Sequence, residues 1–306
     1  MITETPNAWP GAPASHPTSG AVLERRLDSA HAYVEFLTAQ QIPVLRKTRR
    51  DLEALASEGE SVSGRQLSAI VGADPLMTLK LLTHLQGQRR RSQNHDITTI
   101  DRAVMMLGIT PFLETFSGMP TLEERLAGHP KALFGALRAI QLARQASTLA
   151  REWAVARHDL DVDEIGVAAL LYETADILMW TFAPAQALRV ANMQRMDPRL
   201  RSATAQRAIY GIELTELERL LVRAWKLPEL LISMLDEHQR TNPRVRNVEL
   251  ANRFARHVAH GWDDAALPDD LDAIERLIHV RRDVLLTRLG APDEVIARLG
   301  GQSTHR

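Results

Sequence analysis

Cysteine is absent from the 306-residue sequence. Its absence excludes disulfide bonds, thiolate nucleophiles, zinc ribbons and iron–sulfur clusters. Because a chain without disulfides suits a reducing compartment, the sequence predicts a cytoplasmic protein.

Long apolar runs are missing as well. No stretch approaches about eighteen uninterrupted apolar residues, the length of a membrane-spanning helix. The N-terminal residues also lack the charged and apolar regions of a signal peptide. We therefore expect a protein that is neither exported nor embedded in a membrane.

Neither sign of charge is in excess. The chain has 37 basic and 38 acidic residues, and its formal net charge is −1. No global field would draw the molecule to nucleic acid or to an anionic membrane, so any such contact has to be local. The only lysines are Lys47, Lys80, Lys131 and Lys226, which makes arginine the usual cation of this chain.

The alternating pattern of β-strands is hard to find, whereas apolar residues recur at helical spacing from Val22 onward. The sequence therefore predicts an all-α, multi-helix bundle. Residues 1–20 are rich in proline, alanine, serine, threonine and glycine, a composition that predicts a disordered tail.

Three helix starts can be recognised from residues that cap helices. Ser63–Gln66 has the form of a capping box, Asp74 precedes a proline at the first helical position, and Thr99 precedes an apolar stripe. Gly108 stands where a residue with positive φ usually ends a helix. The first two signals predict two helices joined by a tight turn.

One long helix is predicted to begin near Asp161 and Glu164 and to run through Leu178. It is apolar on most of its circumference, so we expect it at the centre of the bundle.

Common catalytic signatures are absent, including glycine-rich phosphate loops and the G-x-S-x-G motif. His257 and His260 share a helix face, but two histidines do not complete a metal site. Their alternative interpretation is a pair of surface histidines beside the apolar Phe254 and Val258.

A basic run of Arg89, Arg90 and Arg91 follows the two helices that meet at Asp74. One interpretation is a nucleic-acid module of the helix-turn-helix type, with the arginines on phosphates. The other is a solvated loop. The leucines that fill the second helix favour the loop, because they leave few polar side chains to contact base edges.

Seven segments, in this order and spacing, resemble the HDOD (HD-related output domain) family. They are Ile42–Val44, Ile70–Leu82, Ile97–Gly108, Ala168–Leu178, Tyr210–Leu214, Trp225–Glu229 and Glu237–His238. The resemblance implies an HDOD domain over residues 21–262, with an N-terminal helical half (28–125) and a half similar to HD hydrolases (126–262). Residues 263–306 are then a C-terminal helical extension.

HD-type phosphohydrolases hold metal ions on histidines and aspartates of several helices. The resemblance aligns Tyr172 and Glu173 with their His-Asp pair, and only His238 and Glu173 remain as candidate ligands. The positions that correspond to the degenerate site are Arg138, Tyr172, Glu173, Asp176, Leu214, His238 and Asn252. Two ligands on separate helices hold a divalent ion poorly, so we expect neither catalysis nor a cofactor.

Polar groups on the helix that carries Tyr172, Glu173 and Asp176 need partners if they are buried. We expect neighbours such as Arg138 to supply them, rather than a bound ligand.

The resemblance implies a non-enzymatic regulatory protein of bacterial signal transduction. Its partners would be signalling proteins or a small signal, including those of cyclic-dinucleotide networks. Two alternatives remain open, a residual metal-dependent phosphohydrolase and a nucleic-acid-binding regulator. The oligomeric state does not follow from the sequence.

Overall fold

The computed structural model describes residues 22–57, 59, 62–88, 98–197, 199–233, 239 and 241–300. The predicted tail at 1–20, the run Arg89–Arg91 and His238 lie outside these residues. Within the described ranges the chain is helical, and the only β pairing is a single bridge between Val44 and Thr121. The all-α prediction is therefore confirmed.

Seven helices form the N-terminal part of the described chain. They are α1 (Ala30–Thr38), α2 (Arg46–Ser57), α3 (Gly64–Gly72), α4 (Pro75–Gln88), α5 (Ile100–Leu107), α6 (Ile109–Thr115) and α7 (Leu122–Arg125).

The second part begins with the longest helix and ends with a C-terminal group. The helices are α8 (Pro130–Ala156), α9 (Val162–Leu170), α10 (Thr174–Phe182), α11 (Pro184–Met196), α12 (Ser202–Tyr210), α13 (Leu214–Ala224), α14 (Glu229–Ser233), α15 (Pro243–Val258), α16 (Leu267–Ile278), α17 (Arg282–Arg288) and α18 (Asp293–Leu299).

The three predicted caps are present. Ser63 and Gln66 form a reciprocal capping box, the Asp74 side chain accepts hydrogen bonds from backbone N–H groups at the start of α4, and the Thr99 hydroxyl accepts one at the start of α5. Gly108 ends α5 with φ of 83°. These local signals are confirmed because each cap needs only residues within one helical turn.

Asp74 also joins two helices. Its fully buried carboxylate accepts hydrogen bonds from the backbone N–H groups of Leu76 (2.9 Å) and Met77 (3.3 Å), and from the Leu45 N–H and the Thr48 hydroxyl (both 2.8 Å). One side chain thus caps α4 and fixes the start of α2 beside it.

The predicted long helix from Asp161 to Leu178 is wrong in one respect, because it is broken at Leu171–Glu173 between α9 and α10. The backbone N–H of Tyr172 bonds back to Ala169 O, and the Thr174 hydroxyl donates to Leu171 O at 2.8 Å. These bonds close a turn that brings Tyr172 and Glu173 to the junction of the two helices.

The broken helix lies at the centre of the bundle, as predicted. By length and composition Val162–Phe182 is apolar enough to cross a membrane, but 78% of its most apolar window is buried inside the protein. It packs against α8 and α15, while α1 crosses over to pack against α13. The apolar stretch is therefore the core of the fold.

Small residues set the distance between α8 and its neighbours. The indole of Trp180 on α10 lies against Gly135, where an added Cβ would be 2.5 Å from ring carbon Cζ3. The Arg151 side chain lies in the same way over Gly166 of α9. Each glycine thus allows a large side chain to cross a helix.

Candidate functional site

Four elements converge at the positions that the resemblance aligns with the metal site of HD hydrolases. The turn between α9 and α10 supplies Tyr172 and Glu173, and α10 itself supplies Asp176. Helix α13 contributes Glu218, and α15 contributes a face at helical spacing that includes Asn252 and Arg256. We call this set, with Glu249 of α15, the acidic cluster.

Glu218 is the most deeply buried carboxyl of the acidic cluster, with 7% of its surface exposed. Its Oε2 accepts a hydrogen bond from the backbone N–H of Ala175 at 2.6 Å, and Oε1 is buried without a hydrogen-bond partner among the described residues. Burial first, and then the nearby carboxyls of Glu173 and Asp176, raise the pKa of Glu218 well above its usual range. Through its hydrogen bond with the Ala175 N–H, the Glu218 side chain caps the N-terminal turn of α10.

Asp176 lies in the first turn of α10 and is partly buried. Burial, together with the neighbouring Glu173, raises its pKa to about 7, although the Trp180 side chain donates a hydrogen bond to it. The pKa of Glu218 is raised by the same two causes, so ionising both carboxyls beside Glu173 is unfavourable.

Tyr172 shares this environment. Burial, followed by the carboxylates of Glu249 and Glu173, raises the pKa of its phenol to about 12. The phenol therefore stays protonated at any physiological pH and is not an anionic ligand.

Glu173 forms an ion pair with Arg256 of α15, at 3.0 Å between Oε1 and Nη1. We expected Arg138 as the neighbour that satisfies this group, but Arg138 is exposed on α8. The guanidinium of Arg256 is supplied by a helix more than eighty residues away, and sequence spacing could not identify it.

Asn252 is buried, and its amide nitrogen donates to Val248 O at 3.0 Å and to Ala169 O at 3.3 Å. The bond to Ala169 O joins α15 to α9. The carboxylate of an aspartate at this position would face the same two carbonyl oxygens. Leu214 is also buried and begins α13, and its N–H donates to the Gln206 side chain at 3.0 Å. Both degenerate positions therefore have structural contacts.

Among the residues with described coordinates, no group of three or more histidine, aspartate or glutamate side chains could hold a metal ion. His257 and His260 do not contact a common carboxylate. The Nδ1 of His257 lies 2.6 Å from Asp270, whereas that of His260 lies 3.3 Å from Asp264. Each histidine contacts its own carboxylate on the C-terminal side of α15.

Sequence reasoning missed Glu218. It stands in the apolar stripe of α13, beside Leu217 and three residues before Leu221. A glutamate inside such a stripe is the available signal, because a helix face that is buried elsewhere rarely carries an unpaired carboxyl.

Comparison with known proteins shows the family to which the sequence belongs. The sequence profile described as the HDOD domain matches residues 42–241. A search of curated proteins gave no significant match.

Two crystal structures share the fold. The MmoQ response regulator from Methylococcus capsulatus is 19% identical with a TM-score of 0.55, and the match covers 86% of this chain and 98% of MmoQ. A virulence factor from Campylobacter jejuni is 17% identical with a TM-score of 0.59, covering 90% of this chain and 95% of the other. With the profile matching most of its length, the chain belongs to the HDOD domain family.

Proposed function

We propose that this HDOD protein is a non-enzymatic regulator of bacterial signal transduction, acting in the cytoplasm by binding a signalling protein or a small signal. The observation that supports the proposal is the internal use of the polar groups at the degenerate metal site. Asn252 bonds to two carbonyl oxygens, Glu173 pairs with Arg256, and Glu218 caps α10. Groups held in this way have little freedom to coordinate a metal and activate water.

The fold-level likeness to a protein named as a response regulator is consistent with this role. A fold alone does not define a function, so the proposal rests on the residues of the site.

Exposed apolar side chains suggest where a protein partner would dock. Phe134 and Leu137 on α8 are 71% and 37% exposed, and Met105 on α5 is 72% exposed. Phe134 and Leu137 are three residues apart and so lie on one face of α8, and grouped apolar side chains are unusual on a surface that contacts only water.

The test is affinity capture of the tagged full-length protein from cells of its source, followed by reconstitution of each recovered pair from purified components. We expect a signalling protein to be enriched reproducibly over a tag-only control and to bind directly. The double variant Phe134→Ser with Leu137→Ser should weaken that binding, whereas Val284→Ser on α17 should not. The absence of any reproducible protein partner or retained small molecule would overturn the proposal.

The residual phosphohydrolase remains a separate hypothesis, and no contact in the acidic cluster favours it. Its test is turnover of a panel of phosphomonoesters and cyclic dinucleotides with added Mn²⁺, Fe²⁺ or Mg²⁺. Metal-dependent turnover that Glu173→Gln abolishes would replace the non-enzymatic proposal.

The nucleic-acid hypothesis is weakened by the burial of α4, the helix that would have to read bases. Its residues Leu76–Leu82 are all buried. Replacing Arg89, Arg90 and Arg91 with alanine tests the remaining possibility, because phosphate contacts by these arginines would make binding fall steeply with salt.

A further inference from the structure

A cleft of about 430 Å³ lies between two pairs of helices, and none of its lining residues belongs to the acidic cluster. Helix α3 and the first turn of α5 form one wall. The middle of α8 and the start of α9 form the other. The volume is within the range of about 300–1,000 Å³ that is usual for small-molecule sites.

The wall formed by α3 presents Arg65, Ser68, Ala69 and Gly72 to the cleft. Their spacing places all four on one helix face. The three residues after the arginine are small, and this leaves space in the middle of the cleft.

The facing wall on α8 has the same arrangement. Arg144, Ser147, Thr148 and Arg151 follow the same spacing, with the two small hydroxyl residues between the arginines. The Ser147 hydroxyl is already used, because it donates to Gly166 O at 2.7 Å. The two helices therefore enclose the cleft with small residues and place guanidinium groups at its ends.

Arg151 is held in position by α9. Its side chain crosses Gly166, where an added Cβ would lie 2.5 Å from the guanidinium carbon, and it forms an ion pair with Asp163. A glycine at this position is therefore required for the arginine to reach the cleft.

The cleft carries a net positive charge. Its charged lining residues are three arginines and two aspartates, and Asp163 is paired with Arg151. Within the described part of the chain no carboxylate pairs with Arg65 or Arg144. Asp101, on the first turn of α5, supplies the other negative charge.

One hydroxyl in the cleft has no partner. The Oγ of Ser68 is buried and makes no hydrogen bond with any described residue. A buried hydroxyl normally has a partner, and because Ser68 lines the cleft, a bound molecule that reaches this hydroxyl would satisfy it.

We propose that this cleft is a binding site for a small phosphorylated molecule of about mononucleotide size. Arg65, Arg144 and Arg151 would contact the phosphate oxygens, since guanidinium groups match their geometry, and the Ser68 hydroxyl would donate to one of them. The carboxylate of Asp101 is available to accept hydrogen bonds from hydroxyl groups of the ligand. This inference rests on the proposed function and deepens it, because it names the chemical class of a small signal. It can fail while a protein partner is still recovered, since partner capture and ligand binding are separate measurements.

Isothermal titration of the full-length protein with inorganic phosphate, pyrophosphate and AMP tests the site. We expect saturable binding of pyrophosphate or AMP with a Kd below about 1 mM. The double variant Arg65→Ala with Arg144→Ala should weaken binding by at least about tenfold, because it removes two charge-assisted contacts.

Two further variants separate a built site from general attraction of anions. Arg276→Ala with Arg288→Ala removes the same charge from exposed positions on α16 and α17 and should leave binding unchanged. Ala69→Phe keeps every charge but fills the cleft, and it should abolish binding. Ala69 is exposed, so this variant is expected to fold, which a thermal melt verifies.

The proposal is overturned if none of the three probes binds saturably to the wild-type protein, or if Ala69→Phe binds as tightly as the wild type. Equal loss of affinity in the cleft and control arginine pairs would also contradict it, because binding would then follow net charge alone.

Discussion

Each half of the molecule buries a carboxyl group, and the surroundings of the two groups differ. Asp74, in the N-terminal half, receives four hydrogen bonds that join α2 to α4. Glu218, in the second half, receives one hydrogen bond on Oε2 and none on Oε1 among the described residues. Both oxygens of Asp74 therefore have hydrogen-bond donors, and Asp74 acts as a structural centre. Glu218 is a poorly solvated member of the acidic cluster.

The difference lies in the groups that surround each carboxyl. Around Asp74 the donors are backbone groups and one hydroxyl, which are arranged by the fold itself. Around Glu218, burial first and then the neighbouring carboxyls of Glu173 and Asp176 raise its pKa. On the proposed function, the second half keeps the helices of an HD-like site, and the positions aligned with its ligands carry residues that bond within the protein.

The largest expected effect comes from Asp74→Ala. It leaves four buried or partly buried donors without an acceptor, so we expect the free energy of unfolding to fall by about 3–5 kcal/mol. Urea unfolding followed by circular dichroism measures it. Asp28→Ala, at an exposed position, is the control and should change stability by less than about 0.5 kcal/mol. A loss that small in Asp74→Ala would mean that Asp74 is not a structural centre.

Asn252→Asp introduces the residue that the resemblance aligns with this position in the hydrolases. It should destabilise the protein by about 2–3 kcal/mol at neutral pH, since a carboxylate would face two carbonyl oxygens. Urea unfolding at pH 5 and pH 8 should show the larger loss at pH 8. Asn192→Asp, on the exposed surface of α11, is the matched control. A variant as stable as the wild type would indicate that the position still accommodates a metal-binding aspartate.

The third prediction concerns pH. Asp176 has its pKa raised from 3.8 to about 7 in the folded protein, so the folded state binds a proton that the unfolded state has lost between these values. The stabilisation that Asp176 contributes is therefore fully present below about pH 4, and it is lost as the pH rises through 7. The raised pKa of Glu218 acts in the same direction.

The double variant Asp176→Asn with Glu218→Gln removes this dependence. One pKa unit corresponds to about 1.4 kcal/mol. The stability difference between the variant and the wild type should therefore shift in favour of the variant by up to a few kcal/mol between pH 5 and pH 8. Thermal melts at both pH values measure the difference. A difference between variant and wild type that does not change with pH would show that these carboxyls ionise normally.

The smallest effect is expected at the contact that supports Trp180, the hydrogen-bond donor to Asp176. Gly135→Ala places a methyl group against the indole, and we expect a loss of about 1–3 kcal/mol despite the better helix propensity of alanine. Gly64→Ala in α3 has room for the methyl group and should be neutral or slightly stabilising. Urea midpoints compare the two, and equal stabilisation would contradict the packing described for Trp180.

Local signals made part of this fold predictable. The caps at Ser63, Asp74 and Thr99 involve neighbours within a few residues, so the sequence identifies them directly. The two further donors to Asp74, from Leu45 and Thr48, are more than twenty residues away and emerge only when α2 packs beside α4.

The candidate site was less predictable for the same reason. The residues aligned with the metal ligands of HD hydrolases were identified through family resemblance, but their partners depend on tertiary packing. The break at Leu171–Glu173 is stabilised by Glu218 on α13, and Glu173 pairs with Arg256 of α15 rather than with Arg138. Apolar periodicity carries no information on either contact, because it reports which face is buried and not what covers it.

The most direct test of a retained fold without a metal site is a calorimetric titration of the chelator-treated full-length protein with Mn²⁺. The account predicts no stoichiometric binding tighter than about 100 µM, since the groups at the HD positions are bonded to other parts of the chain. Binding of one or more Mn²⁺ ions per chain with higher affinity, lost in Glu173→Gln, would contradict it and restore the hydrolase hypothesis.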